Sequence, residues 1–215
     1  DIVVLKLLPQ SLKMALHEEL YLPIVSSHPF FETYSMVNRT GTREVCNFCL
    51  MEHSVNAAQE IFTPGEPGEL GNSTMIFITS GVLNYIYGQN VDSMRVISIE
   101  VGGWLCEAAL WMSWQHRGKL VANTSCELAL LDASKFHSVM SRQKVAVNGP
   151  KKYAQTYVGL AQRDWANFNN MGDIWGDMED LVNIVRVAFE GCEYQSINGF
   201  APRYSTMLGT GGPNR

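Results

Sequence analysis

The chain is short of the features that usually announce a role. No stretch of about 18 uninterrupted apolar residues occurs, so no segment reads as membrane-spanning. The richest region, Val96 to Trp114, is broken by Glu100 and Glu107. There is no basic tract, and the formal net charge is −5, which argues against a general nucleic-acid footprint. Cysteine is scarce and odd in number, five in 215 residues, which argues against a disulfide framework and for a reducing compartment. No G-x-S-x-G, P-loop, H-E-x-x-H or dinucleotide fingerprint is found, so the expectation is a non-enzymatic protein. The five histidines are scattered, none beside a Ser or Cys in a recognised pattern. No signal-peptide pattern opens the chain, and its start on Asp1 reads as a processed, trimmed or partial protein. What is present is 46% hydrophobic and 17% charged, enough apolar residue for a real core.

Three kinds of pattern follow one another. Residues 1–58 read as helices. Pro9 stands near the start of the first, with Leu12, Leu16 and Leu20 at helical spacing. His28-Pro29-Phe30-Phe31 breaks it, and a second helix is expected over about Arg43 to Ser54, with Val45, Phe48, Cys49 and Met51 on its buried side. Residues 59–131 read as short strands between turns: Glu60–Thr63, Thr74–Thr79, Val82–Tyr87, Arg95–Glu100 and Cys126–Leu131. The turns are Pro64-Gly-Glu-Pro-Gly68, Ser80-Gly81 and Gly88 to Asp92. Asp132 reads as the N-cap of another helix, and Gly149-Pro150 as punctuation. Tyr153, Tyr157, Leu160 and Ala161 then repeat at helical spacing, and a last helix is expected from Asp173 to Phe189. The domain reading is 1–58 linker-like helices, 59–141 a β-roll with its closing helix, 142–190 a helical extension and 191–215 an irregular tail.

The most informative stretch is Val101-Gly-Gly-Trp-Leu-Cys-Glu-Ala-Ala-Leu110, followed by His116-Arg-Gly-Lys-Leu-Val-Ala122. It resembles the phosphate-binding cassette of the cyclic-nucleotide-binding domain, roughly G-D-x-F-G-E-[IL]-[AS]-L, a loop, then R-[ST]-A-x-V-x-A. Gly102, Leu105, Glu107, Ala109 and Leu110 match the first half, and Gly118, Leu120 and Ala122 the second. Pro64-Gly-Glu-Pro-Gly68 with Met75-Ile-Phe-Ile78 and Gly81 resembles the family's first strand pair. Cys126 through Phe136 resembles its last strand and following helix. Leu8-Pro9 through Phe31 is similar to the linker helices that join this domain to the pore of voltage-gated cation channels of the cyclic-nucleotide-gated and ether-à-go-go types.

The resemblance implies an α+β fold, an eight-stranded, jelly-roll-like β-roll flanked by N-terminal and C-terminal helices. It also implies a non-enzymatic regulatory module of a channel-like protein. The implied ligand is cyclic AMP or cyclic GMP, with no other cofactor and no metal. The implied ligand-binding residues are Leu105, Cys106, Glu107, Ala108, His116, Arg117 and Gly118. In the family a Gly precedes the Glu, an Arg neutralises the phosphate, and the Glu accepts from the ribose hydroxyl. Here Cys106 stands in place of that Gly. A gapless alignment, which puts Gly118, Leu120 and Ala122 on small and apolar positions, sets His116 at the Arg position and Arg117 at the Ser/Thr position. A one-residue gap instead makes Arg117 the phosphate Arg. The gapless version is favoured, and it removes the fixed cation, because an imidazole is a weaker substitute for a guanidinium. Trp111 to Gly118 departs most from ligand-binding members, so the pocket is expected to be degenerate.

The alternative function is a structural or interaction subunit that keeps the roll without a ligand. Expected partners are other protein subunits or a homo-oligomer, with a membrane pore domain attached outside this chain and no nucleic acid. The expected location is intracellular, reducing, and at the cytoplasmic face of a membrane. Plainer readings compete at each residue. Glu107 could cap a short helix, and His116 with Arg117 could be a solvated loop pair. Trp104, Trp111, Trp114, Trp165 and Trp175 could be packing residues. Cys46, Cys49 and His53 share a face of the expected helix, so a zinc site is conceivable, although buried structural cysteines are the commoner outcome.

Overall fold

The computed structural model describes residues 8–66, 70, 71, 73–88, 93–143, 148–168 and 172–192, with side chains left undescribed from 165 to 168. Pro67 and Gly68 of the first turn, most of the Gly88–Asp92 turn, the Trp165 side chain and the tail from 193 lie outside the described residues.

Among the described residues three helices come first: α1 (Gln10–Val25), α2 (Pro29–Val37) and α3 (Arg39–Phe48). Eight strands follow among the described residues: β1 (Leu50–Val55), β2 (Glu60–Phe62), β3 (Thr74–Ser80), β4 (Leu83–Tyr87), β5 (Arg95–Ile99), β6 (Trp104–Leu105), β7 (Lys119–Ala122) and β8 (Cys126–Asp132). A one-turn helix, α4 (Ala108–Trp111), sits between β6 and β7, and α5 (Ala133–Arg142), α6 (Asn148–Phe168) and α7 (Met178–Ala188) close the order. The strands form two antiparallel four-stranded sheets, β1-β8-β3-β6 and β2-β7-β4-β5. This is the expected α+β roll with helices at both ends.

Period-two alternation sorts the first sheet between two cores. On β3, Ile76 and Ile78 point into the roll with Leu83, Leu105, Leu120, Leu128 and Leu130. Met75 and Phe77 point the other way, with Ala129 and Leu131, into a cluster of Phe30, Phe31, Leu110, Phe136 and Tyr153. Met75 through Ile78 are all at most 1% exposed, so each contributes about 1.5–3 kcal/mol of apolar burial. The sheet is covered on both faces, which is why β3 and β8 read as nearly continuous apolar runs rather than as clean alternation.

The helical expectations need four corrections. The second helix spans Arg39–Phe48, not Arg43 to Ser54, and residues 50–55 are a strand paired with β8 from Leu50↔Leu131 to Val55↔Cys126. Phe48 and Met51 are consequently about half exposed instead of buried. His28-Pro29 does not merely break a helix. It starts one, with His28 Nδ1 accepting from the Phe30 N–H and Pro29 at the first helical position. Gly149-Pro150 lies inside the first turn of α6. The last helix begins at Met178 behind an Asp177 N-cap, which frees Asp173 from any helix. The Asp132 N-cap is as expected, its side chain accepting from the Lys135 N–H. Leu12, Leu16 and Leu20 have the spacing of one face of α1, but that face is exposed.

Candidate functional site

The loop after β6 is set by its backbone. Cys106 takes a left-handed conformation, φ 63°, at a position where the family's Gly would meet no steric cost. That turn places Glu107 at the mouth of α4, and the chain then runs without regular structure from Met112 to Gly118 into β7. Gly118 leaves room for a ring. A Cβ added there would stand 2.4 Å from Tyr85 Cζ.

Into this loop inserts Asp173, from the connection between α6 and α7. Its Oδ2 accepts from the Arg117 N–H at 2.7 Å, the Gly118 N–H at 3.0 Å and the Tyr85 hydroxyl at 2.8 Å. Its Oδ1 accepts from Trp114 Nε1 at 2.7 Å and faces His116 Nδ1 at 2.9 Å. The backbone is fastened as well: the Cys106 N–H donates to the Asp173 carbonyl at 2.7 Å, and the Asp173 N–H donates to the Tyr85 oxygen. Burial by itself would raise the Asp173 carboxyl. Hydrogen bonds from His116, Trp114, the Arg117 N–H and Tyr85 outweigh it and hold the carboxyl below its ordinary range. The same burial, with the Asp173 charge beside them, pushes the Cys106 thiol and the Tyr85 hydroxyl well up. His116 is 2% exposed, and its ring stacks on Phe62 with centroids 3.6 Å apart. Both its nitrogens face oxygen atoms, Asp173 Oδ1 and the Gly71 carbonyl at 3.3 Å.

Glu107 is engaged in a second network. Oε1 accepts from the Tyr153 hydroxyl at 2.7 Å and from Trp111 Nε1 at 3.0 Å. Oε2 stands 3.0 Å from His28 Nε2, close enough for charge–dipole attraction but off the line of a good hydrogen bond. Because His28 Nδ1 accepts from the Phe30 N–H, its Nε2 carries the proton. Tyr153, fully buried and beside this carboxylate, is held protonated well above its ordinary range. Glu107 therefore joins α2, α4 and α6.

All seven residues expected at the site fall on this loop. Leu105 closes β6, Ala108 opens α4, and Cys106, His116, Arg117 and Gly118 surround Asp173. Glu107 makes no capping bond, which overturns the cap reading, and of the expected solvated pair His116 is buried while Arg117 is exposed. The Arg117 guanidinium lies over the Trp114 ring, 5.6 Å from its centroid, while its backbone N–H does the binding. Trp104 and Trp111 pack in the helical core and Trp175 lies edge-on to Tyr157, whereas Trp114 also donates to Asp173. Asp173, Tyr85, His28 and Tyr153 were missed from sequence. Gly172 and Gly176, which bracket the inserted tripeptide, were the available signal for Asp173. A cavity of about 340 Å³ remains alongside, lined by Ile97, Ile99, Trp104, Leu105, Asp173 and Trp175.

Cys46, Cys49 and His53 are not gathered into a ligand set: the two thiols are buried and pushed up to about 12, chiefly by desolvation. Among the described residues, the cluster of three His, Cys, Asp or Glu side chains whose donor atoms converge within 4.8 Å of one another is Cys106, His116 and Asp173. No helix among them is long and apolar enough to cross a membrane.

No family model and no curated protein matches the chain. Solved structures do. The chain is similar to cAMP-bound PfPKA-R at 14% identity and a TM-score of 0.53, over 80% of this chain and 54% of that one. This chain thus spans about half the length of that relative. It is also similar, with a TM-score of 0.47 and 18% identity, to a cyclic nucleotide-binding-like protein from Brucella abortus, over 56% of this chain and 97% of that one. Together with the strand order, the likeness to PfPKA-R gives the chain the fold of the cyclic-nucleotide-binding domain.

Proposed function

We propose that this chain is a regulatory module of the cyclic-nucleotide-binding fold whose anion site is filled by its own Asp173. The observation that carries the reading is the carboxylate itself. It draws five donors from the residues and neighbours that the resemblance assigns to a cyclic phosphate. A diffusing monoanion would have to displace a tethered one, whose effective concentration is set by a short connection. Glu107, the group that would accept from a ribose, is likewise engaged by Tyr153 and Trp111. A change at the loop would pass through Glu107 to His28 and α2, which supports regulation of whatever lies on the N-terminal side. The similarity of residues 8–31 to channel linkers supports a channel-like parent protein, with a pore domain outside this chain.

Calorimetry with cyclic AMP and cyclic GMP tests the reading. The wild-type chain is expected to give no saturable heat at millimolar nucleotide, and saturable micromolar binding would overturn it. An Asp173→Ser chain that gains binding identifies a competent site held shut. One that remains folded and still silent favours the second reading, a structural subunit built on the same roll. Six apolar spans encoded ahead of residue 1 are expected for the channel-like part, and their absence removes it.

A further inference from the structure

The geometry points to a transition-metal site, of the zinc or cobalt(II) class, formed by Cys106, His116 and Asp173. The three donor atoms already stand at the corners of a coordination face: Cys106 Sγ to His116 Nδ1 is 3.7 Å, Cys106 Sγ to Asp173 Oδ1 is 3.8 Å, and His116 Nδ1 to Asp173 Oδ1 is 2.9 Å. With bonds of about 2.3 Å to sulfur and about 2.0–2.1 Å to nitrogen and oxygen, a tetrahedral ion spaces its ligand atoms roughly 3.3–3.6 Å apart. Shifts of a few tenths of an ångström reconcile the two. One thiol, one imidazole and one carboxylate select zinc-like ions over calcium or magnesium, which want oxygen alone.

The supporting groups are in place too. The imidazole is oriented by the Gly71 carbonyl on its far nitrogen and clamped flat against Phe62. The carboxylate is held through its other oxygen by the Tyr85 hydroxyl and two backbone N–H groups. Such outer contacts fix the orientation of metal ligands in known sites. The bound state is also neutral overall: imidazole, carboxylate and thiolate around two positive charges sum to zero, so the buried site carries no net charge, and the thiol proton passes to solvent.

Cys106 and His116 stand where the resembling family keeps Gly and, in the gapless alignment, Arg. The two substitutions that weaken the loop for a phosphate are the two that equip it for a metal. Since the third ligand comes from the inserted connection, a bound ion staples that connection to the loop. This last consequence rests on the self-occupied pocket proposed above, whereas the metal site itself does not.

Cobalt(II) chloride is the probe, added to the chelator-dialysed chain both in its native form and during refolding from urea, so that burial does not bar access. The expected result is one equivalent bound, a thiolate-to-cobalt charge-transfer band in the near ultraviolet, and visible bands of tetrahedral intensity that zinc abolishes. Cys106→Ser is expected to lose the charge-transfer band and His116→Asn to weaken binding by more than about tenfold. Cys192→Ser, away from the site, is expected to keep both. Zinc is expected to raise the Tm of the wild type but not of Cys106→Ser. Absence of the band in a refolded, cooperatively unfolding chain overturns the site, as does a band that survives Cys106→Ser. Nucleotide binding by the wild type would remove the self-occupied pocket and leave the cobalt result standing, so the two failures are separable.

Discussion

Two carboxylates, both at most 3% exposed, meet at the same short loop and are held in different ways. Asp173 is met by backbone N–H groups, an indole, a phenol and an imidazole on both oxygens and is held ionised. Glu107 is met by side chains alone, on Tyr153, Trp111 and His28, each from a different element. Backbone donors cannot rotate away, so the Asp173 cradle is an anion site before any side chain chooses a rotamer. The Glu107 set exists only while α2, α4 and α6 stay packed. The first is a binding feature and the second a connection.

Substitution should separate them. Asp173→Ala leaves several buried donors without an acceptor and should cost about 3–5 kcal/mol, read from the urea midpoint. A loss under about 1 kcal/mol would mean the inserted segment contributes little. Glu107→Ala should cost about 2–3 kcal/mol. Its double-mutant cycle with Tyr153→Phe should show a coupling of about 0.5–3 kcal/mol, and strict additivity would deny the connection. Gly118→Ala drives a methyl into the Tyr85 ring and should cost about 1–3 kcal/mol by the same urea midpoint. A pH-dependent effect lies far from both carboxylates. Cys46, faced by Glu18 and Cys49, and Cys49, faced by Asp132, Glu44, Lys135 and Arg142, are both raised to about 12. The folded chain keeps protons that the unfolded chain gives up near about pH 8.5–9. Their contribution is therefore complete below that range and is lost as pH rises toward about 12, which Tm measured across alkaline buffers will follow. A Tm that rises over this window would contradict it.

The roll was legible because its strands carry strong local signals. Thr74–Ser80 and Cys126–Asp132 are β-rich runs between clear turns, and Asp132 caps α5 with its own side chain. Cys106, His116 and Gly118 were legible through the resemblance alone, and what they hold was not. Asp173 was hidden because Ile174, Met178, Leu181 and Ile184 keep helical spacing through it, and Asp177 offers the same capping chemistry four residues on. Nothing local distinguishes the two aspartates except the flanking Gly172 and Gly176. His28 was hidden for a different reason. The Glu it meets is 79 positions away, and no periodicity reports a contact across that distance. The strand over residues 50–55 was masked by helical spacing in Val45, Phe48 and Met51, which the pairing with β8 overrode.

One junction has a mechanical meaning. Between α3 and β1 there is a single residue, Cys49, and its carbonyl accepts from the Asp132 N–H at the step from β8 into α5. Leu50 and Leu131 then pair directly. The incoming and outgoing helices are thus riveted to adjacent ribbons at one point, with no slack between them. A pull applied to the front helices therefore enters the sheet at the ladder between β1, its edge strand, and β8.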